Sequence, residues 1–457
     1  MQDFVARNAV KRWISERVTA PRRAMIRAYG VCRRLEQGTE GEIEAWQETH
    51  LRTLLARASA APYWNEVLRR AGVDARRARL SDLERLPFLT KDILRAQGDR
   101  LRMPGAEGVY ENYSGGSTGV PVRFWQDANF AVWLSAATKR SNEMAGGFVG
   151  ARVAKLWGAP QDKRKIEGLA GRAKLWLLNQ RYYDTFDMGA ERMGAYHESM
   201  ESFQPDIIQA YASSAFLMAR YLSERGLEPS YPRLSVVSAA EKLYPHMREK
   251  IESVFGVDVY DRYGSRELPA VAAECCHHDG LHVQMGAYIV ETVDPATGAA
   301  VEGVPGEIAV TSLHDYAMPF LRYRIGDVGT LRRERCRCGS SFVRLGEICG
   351  RTSDNFLMDD GRIVHGEYFT HLFYGRDGVE QFQFEQESPA EYVLRLVPSP
   401  DYSPRTGAAL EQELREVIGQ RARLRIELRN AIPLTASGKY RFTISQVSVD
   451  ELAGRRA

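Results

Sequence analysis

The sequence YSGGSTGVPV occupies residues 113–122, and seven of these ten residues are Gly, Ser, Thr or Pro. Small and hydroxylated residues at this density form either a plain surface turn or a cradle in which backbone N–H groups and hydroxyls surround an anion. GVYEN precedes the loop as a predicted strand, and FWQDANFAVWLSAATKRSNEM follows it with apolar residues at helical spacing. A loop between a strand and a helix lies at a positive helix end, which favours the anion cradle.

The loop differs from the Walker phosphate-binding loop. Val120 follows Gly119, where the Walker motif requires Lys and then Ser or Thr. Any lysine that contacts the bound phosphate must therefore come from elsewhere in the chain.

Composition indicates a globular protein of more than one domain. The chain has 457 residues, of which 44% are hydrophobic and 26% charged. Its 62 basic and 59 acidic residues give a net charge of +3, so overall charge offers no argument for nucleic-acid binding. The sequence has no apolar run near the roughly 18 residues of a membrane span and no apolar signal-peptide core at its start. We expect a cytoplasmic protein without a transmembrane segment.

The N-terminal segment VKRWISERVTAPRRAMIRAYGVCRR, residues 10–34, is locally basic and carries apolar residues at helical spacing. Two interpretations of this segment are open. The segment docks on its own domain through the apolar stripe, or it makes a weak contact with a membrane surface.

Six cysteines raise the question of a metal site, and they stand at positions 32, 275, 276, 336, 338 and 349. ECCHHDGLH (274–282) and CRCG (336–339) are two short clusters of the kind that a tetrahedral zinc site combines. The alternative is reduced, buried thiols with surface histidines, because disulfides are rare in cytoplasmic proteins.

Strands and helices alternate between residues 110 and 270, as in DIIQAYAS (206–213) and RLSVVSAAE (233–241). This order predicts an α/β fold with a mostly parallel sheet, whose ligands lie at the carboxyl ends of the strands. Residues 285–350 predict a β subdomain, and the segment after 350 predicts a small α+β unit. We therefore expect an N-terminal core domain over 1–350 and a C-terminal domain over 351–457, with Tyr211 as an aromatic wall of the substrate pocket.

Six segments, in order, resemble the motifs of the adenylate-forming superfamily of acyl-CoA synthetases, adenylation domains and luciferases. They are SGGSTGVPV (114–122), SAAE (238–241), YGSRE (263–267), RYRIGD (322–327), GRTSD (350–354) and LTASGKYR (434–441). APYWNEVLRRAG (61–72), LPFLTKDILRAQ (86–97), MPFLRYRIGDVG (318–329) and CRCG resemble more specifically the phenylacetate-CoA ligase branch and its capsule-biosynthesis relatives.

The resemblance implies a role for each motif residue. The phosphates of ATP are expected at Ser114, Gly115, Gly116, Ser117, Thr118 and Gly119. Adenine is expected beside Ala240, Glu241, Tyr263, Gly264 and Ser265. Glu267 would hold Mg²⁺, Asp327 the ribose hydroxyls, and Arg351 the ribose and phosphate region. Lys439 would reach the α-phosphate and the attacking carboxylate from a mobile C-terminal domain.

The resemblance also selects zinc ligands and exposes two departures. Cys275, His282, Cys336 and Cys338 match the Cys-x6-His and Cys-x-Cys spacings of that branch, with His278 or Cys276 as substitutes. Such a closed four-ligand site is structural. Ser353 occupies the hinge position where relatives have Asp or Lys, and Arg266 stands where many have Thr or Ser, so that it meets either a ligand or a local carboxylate.

Three functions follow from these observations. The leading one is ATP-dependent activation of an aromatic carboxylic acid as acyl-AMP, followed by transfer to a thiol, CoA. The second keeps adenylation but passes the acid to a non-CoA acceptor such as an amine, an alcohol or a carrier protein. The third is a zinc-containing protein that binds nucleic acid or a membrane surface without catalysis.

Overall fold

A computed structural model describes residues 20–114, 122–148, 150–157, 168–185, 188–351, 355–358, 363–373, 376–433 and 441–447. These residues form two units. The first spans 20–325 and 329–348, and the second spans 326–328, 349–433 and 441–447. Within the described ranges, every helix is too short or too polar to cross a bilayer.

The helices follow the predicted order along the chain. They are α1 (Ala20–Glu36), α2 (Glu40–Ala58), α3 (Pro62–Ala71), α4 (Lys91–Gln97), α5 (Ala128–Met144), α6 (Gly168–Leu177), α7 (Ala190–Phe203), α8 (Ala212–Glu224), α9 (Pro245–Phe255), α10 (Gly366–Phe373) and α11 (Pro404–Ile418), with 3-10 turns at Leu80–Arg85 and Gly98–Leu101. A capping box between Thr39 and Glu42 fixes the start of α2. Thr90 is the N-cap of α4, and its side chain accepts a hydrogen bond from Ile93 N.

Helix α1 contains the described part of the basic N-terminal segment, and it packs on α5. Arg140 on α5 donates from Nε and Nη2 to both carboxylate oxygens of Glu36, at 2.6 and 3.0 Å. The Nζ of Lys139 lies 4.7 Å from the ring centre of Tyr29. These contacts favour docking on the protein itself for residues 20–36.

One large sheet organises the first unit. Its strands are β3 (Val153–Trp157), β4 (Gln180–Asp184), β5 (Ile207–Tyr211), β6 (Ser235–Ala239), β7 (Val259–Tyr263), β8 (Ala272–Glu274), β9 (Leu281–Val283), β10 (Tyr288–Val293), β11 (Gly306–Ser312), β12 (Tyr323–Arg332) and β13 (Arg344–Arg351). The order across these 11 strands is β10-β11-β12-β13-β9-β8-β7-β6-β5-β3-β4. Strands β4, β3, β5, β6 and β7 are parallel neighbours, and helices connect them. The α/β prediction is confirmed, and the β-rich segment after residue 285 continues the same sheet through β8 and β9.

A separate hairpin, β1 (Tyr110–Tyr113) and β2 (Arg123–Gln126), flanks the Gly/Ser/Thr loop, which itself lies outside the described residues. The prediction that a helix follows the loop directly is therefore wrong. A strand comes first, and α5 begins only after Asp127, whose side chain accepts a hydrogen bond from Phe130 N. Apolar Phe124 and Trp125 fit a helical spacing, but both are buried in the hairpin, so tertiary packing overrides the pattern.

The second unit contains a two-stranded sheet and a four-stranded sheet. The strands β14 (Asn355–Leu357) and β15 (Ile363–His365) form the first, and β18 (Arg423–Leu428), β17 (Glu391–Pro398), β16 (Val379–Ser388) and β19 (Thr443–Ser445) form the second in that order. Phe369, Phe384 and Leu414 belong to its own apolar core. The unit is the α+β structure that the sequence predicts for this part of the chain.

Candidate functional site

Buried polar contacts join the phosphate-loop hairpin to the YGSRE segment. Gln126 on β2 donates from Nε2 to the carbonyl oxygen of Glu267 at 2.9 Å, and its Oε1 accepts from Asn112 Nδ2 at 3.2 Å. Asn112 Oδ1 in turn accepts from Arg266 Nε at 3.3 Å. Gln126 is 2% exposed, so these contacts are shielded from water. These contacts hold the hairpin and the predicted Mg²⁺ ligand Glu267 in a fixed position relative to each other. They are made by Gln126 and Asn112, which the sequence motifs do not include.

Ser114 closes the base of the loop. Its backbone N donates to Val122 O at 2.9 Å, and its Oγ accepts from Val122 N at 2.8 Å. The hydroxyl therefore anchors the loop ends. Gly115, Gly116, Ser117, Thr118 and Gly119, predicted to contact phosphate, lie outside the described residues.

Glu267 lies at the end of a tight turn after β7. A Cβ on Gly264 would approach Ala270 N to 2.7 Å and Leu268 O to 2.8 Å, so the turn requires glycine at that position. Ser265 stabilises the turn by accepting from Leu268 N at 3.1 Å. The Glu267 carboxylate is buried, and its Oε1 accepts from Tyr323 OH at 3.1 Å. A buried carboxylate at the carboxyl edge of a parallel sheet suits a hard cation such as Mg²⁺.

The SAAE segment follows the neighbouring strand β6. Ala240 has φ +70°, a left-handed conformation that costs about 1–3 kcal/mol in a residue other than glycine. Glu241 Oε2 accepts from Ser213 N at 2.9 Å, in the first turn of α8. A carboxylate is favourable at a helix N-terminus, so this bond fixes the strained segment against α8.

The other predicted nucleotide residues are placed as follows. Tyr263 ends β7 and is half-buried, and Asp327 lies on β12 and is buried. Arg351 is the last residue of β13. Lys439 and Ser353 lie outside the described residues.

The two faces of β7 differ in how their charges are paired. On one face, Arg248 donates from Nη2 to both carboxylate oxygens of Glu274, at 2.8 and 2.9 Å, and Asp261 N donates to Glu274 Oε2 at 2.8 Å. Burial raises the pKa of Glu274, but the contacts with His278 and Arg248 outweigh burial and hold this pKa below its usual value. Burial, together with the Glu274 charge, raises the pKa of Asp261 to about 7. On the other face, Arg262 Nη1 has no hydrogen-bond partner among the residues that the structure describes, a feature that no sequence motif indicates.

The four predicted zinc ligands come together. Cys275 follows β8, His282 lies on β9, and Cys336 and Cys338 lie between β12 and β13. Their ligand atoms all lie within 4.8 Å of one another. Cys275 Sγ is 3.7 Å from Cys336 Sγ, and Cys338 Sγ is 3.5 Å from His282 Nε2. Ligands at the corners of a zinc tetrahedron are about 3.5–3.8 Å apart, so the set fits that ion.

The two proposed substitute ligands, His278 and Cys276, lie outside the cluster. His278 Nδ1 lies 3.1 Å from Glu274 Oε2, and Cys276 is exposed, so neither joins the cluster.

Gly280 turns the β8–β9 hairpin at φ +82°, where a Cβ would approach Leu345 O to 2.7 Å. Burial raises the pKa of the Cys275 thiol to about 12, so this sulfur becomes a thiolate only when a cation stabilises the charge.

Comparison with known proteins identifies the family. Residues 356–446 match the CapK C-terminal domain. The chain is 31% identical to the phenylacetate-coenzyme A ligase of Thermus thermophilus, over 71% of this chain and 74% of that relative. It is 25% identical to protein CapK of Staphylococcus aureus, over 84% of this chain and 85% of CapK. A crystal structure of 2-hydroxyisobutyryl-CoA ligase shares the fold, with a TM-score of 0.73 at 20% identity over 93% of this chain and 94% of that one. The chain therefore belongs to the phenylacetate-CoA ligase family of adenylate-forming enzymes.

Proposed function

We propose that the protein activates a carboxylic acid with ATP and transfers the acyl group to CoA. In the first step a carboxylate oxygen attacks the α-phosphorus, the bond from that phosphorus to the bridging oxygen breaks, and pyrophosphate leaves. In the second step the CoA sulfur attacks the acyl carbon, and AMP leaves with the carbon–oxygen bond electrons. The observation that carries the proposal is the buried contact of Gln126 with Glu267, which links the phosphate-loop hairpin to the carboxyl edge of the sheet.

The roles of individual residues follow from their motifs. Residues 114–119 would hold the departing phosphates through N–H and hydroxyl groups. Glu267 would hold Mg²⁺, which spreads the negative charge of the transition state. Asp327 would accept the ribose hydroxyls, and Arg351 would support the same region. The described Ser114 hydroxyl is already an acceptor for Val122 N, so its phosphate contact would use its own O–H.

Lys439 would supply the cation that the loop lacks. It lies within the matched range 356–446, which supports a separate C-terminal domain over 351–457. A lysine on a domain that moves can assist adenylation and then withdraw before thiol attack. The reaction would take place in the cytoplasm, where ATP and CoA are supplied.

The Cys/His cluster would hold a structural zinc ion. Its four ligands face one another and leave no position for substrate, as expected of a closed site. The ion would connect the β8–β9 hairpin to the segment before β13.

A second function differs only in the acceptor. CapK matches a larger share of this chain, 84%, than the Thermus thermophilus ligase does, 71%. The name of CapK specifies no acceptor, so an enzyme that adenylates its acid in the same way and passes it to an acceptor other than CoA is the second candidate.

The test is pyrophosphate release from Mg-ATP across aryl and aliphatic acids, with and without CoA, in wild type and Lys439→Ala. We expect release that depends on an acid and falls about 10²- to 10³-fold in the variant, because one charge contact in a transition state is worth that much. A thioester product identifies CoA as the acceptor, and release without thioester favours the second function. Pyrophosphate release that does not depend on the acid, or that is equal in wild type and Lys439→Ala, contradicts the proposal.

A further inference from the structure

A row of side chains crosses the carboxyl edge of the parallel sheet on one face. In the strand register, Tyr211 on β5 lies beside Ala239 on β6, and Ala239 lies beside Arg262 on β7. Register partners project to the same face, and neighbouring strands are about 4.8 Å apart. Tyr211 and Arg262 therefore stand about 10 Å apart along the row, with only a methyl group between them.

The Tyr211 end of the row is apolar. Its ring lies 4.4 Å from the ring of Trp157, the last residue of β3, at an angle of 40°. Two aromatic rings in contact form a wall against which the carbon skeleton of an acid can pack.

The Arg262 end of the row carries a positive charge. Its register partners are Ala239 on one side and Ala273 on the other, and neither side chain can accept a hydrogen bond. Counting only residues that the structure describes, Nη1 is shielded from solvent and has no hydrogen-bond partner. The residue as a whole is half-buried, so part of the side chain remains accessible.

Nearby carboxylates are engaged elsewhere. Asp261 projects to the opposite face of β7 and accepts from the backbone N of Arg262. Glu241 accepts from Ser213 N. Burial lowers the pKa of Arg262 to about 10, against the effect of Asp261, and the guanidinium stays charged at neutral pH. Shielding a cation without a partner is unfavourable, and a planar guanidinium binds oxyanions well.

We propose that Arg262 binds a second oxyanion of the acid substrate, a carboxylate or a phosphate at the end away from the carboxyl group that is activated. This inference rests on the proposed function. The substrate class is then an acid with two acidic groups, whose skeleton packs on Tyr211 and Trp157 and passes over Ala239. Arg262 is a specificity-determining residue, because it distinguishes diacids from monoacids.

The test compares acids that differ only at the distal group. One series is 4-carboxyphenylacetate, 4-phosphonophenylacetate, the neutral 4-carbamoylphenylacetate and phenylacetate, and a second is glutarate against butyrate. We expect the wild-type kcat/KM to favour the acids with a second negative charge by about 100-fold over their neutral partners. The carboxylate and phosphonate arms identify which oxyanion is preferred. A wild type that prefers the neutral acids overturns the inference.

The variants are Arg262→Met and Arg262→Lys, with Arg248→Met as the matched control. In Arg262→Met the ratio of kcat/KM between a diacid and its neutral partner falls to about one, and Arg262→Lys restores part of it. Equal loss on both acids would instead assign Arg262 to the reacting carboxylate or to ATP, and would overturn the inference.

Melting temperatures separate binding from structure. Arg262→Met should melt at or above wild type, since it removes a cation whose Nη1 lacks a partner among the described residues, whereas Arg248→Met should melt lower because Glu274 loses its ion pair with Arg248. Should no acid release pyrophosphate, the proposed function fails, and the inference is then decided by melting alone. 4-Carboxyphenylacetate should raise the melting temperature of wild type and leave Arg262→Met unchanged, and equal shifts in the two proteins overturn it.

Discussion

The Cys/His cluster and the carboxyl edge of β5–β7 belong to the same sheet, but their polar atoms are arranged in opposite ways. In the cluster, the ligand atoms of Cys275, His282, Cys336 and Cys338 face one another within 4.8 Å. At the edge, one guanidinium nitrogen of Arg262 lacks a partner among the described residues, and the Glu267 carboxylate has one protein donor at Oε1. The ligand atoms of the cluster face one another and would hold the protein together, whereas Arg262 and Glu267 are the groups that we propose to contact ligands. Damage to the cluster should therefore lower stability, and damage to the edge should lower activity.

Loss of the proposed zinc ion should have the largest effect, on stability. A structural zinc ion contributes directly to folding, so Cys275→Ser should lower the melting temperature by about 5–10 °C. The measurement is thermal unfolding together with zinc analysis of the purified protein. Cys276→Ser is the matched control, because that neighbouring thiol is exposed and outside the cluster. Only trace zinc in wild type, or equal melting of the two variants, would remove the metal from the account.

Glu267→Gln should have the next largest effect, on activity. The amide keeps an acceptor for Tyr323 OH but loses the charge that would hold Mg²⁺, so pyrophosphate release should fall about 10²- to 10³-fold while melting changes little. The measurement is kcat/KM for ATP over a range of Mg²⁺ concentrations. Tyr323→Phe, which keeps the carboxylate, serves as control and should fall far less. A decrease of under about 3-fold in Glu267→Gln contradicts the assigned role.

Gln126→Leu should have a smaller effect that reports on the connection between hairpin and edge. It leaves Glu267 O and Asn112 Nδ2 without their partner, so kcat/KM for Mg-ATP should fall about 10-fold with little change in KM for the acid. Gln284→Leu is the matched control, since that buried amide has no hydrogen-bond partner in the described part of the chain. Equal behaviour of the two variants would show that the Gln126 contacts do not position the site.

Local patterns predicted one of these regions and missed part of the other. The four proposed zinc ligands lie in two short clusters, and the resemblance to the phenylacetate-CoA ligase branch selected Cys275, His282, Cys336 and Cys338 from them. The strand over residues 123–126 was missed because its apolar residues also fit a helix, although Asp127 as an N-cap was a usable signal.

The proposed acid pocket depends on strand register, which the sequence does not reveal. The proposed role of Arg262 depends on its position in line with Ala239 and Tyr211, which lie more than twenty positions away along the chain. The contact of Gln126 with Glu267 spans 141 positions. Such pairings are tertiary, so the motifs predicted a set of nucleotide residues but indicated neither the contacts of Gln126 and Asn112 nor the position of Arg262.

The most direct test of acid activation is detection of the acyl-adenylate itself. The protein is incubated with Mg-ATP and an acid without CoA, and the products are separated and weighed by mass spectrometry. We predict an acyl-AMP and an equal amount of pyrophosphate, with the acyl-AMP consumed when the acceptor is added. Formation of ADP and phosphate, or of AMP and pyrophosphate without any acyl-AMP, would contradict the account.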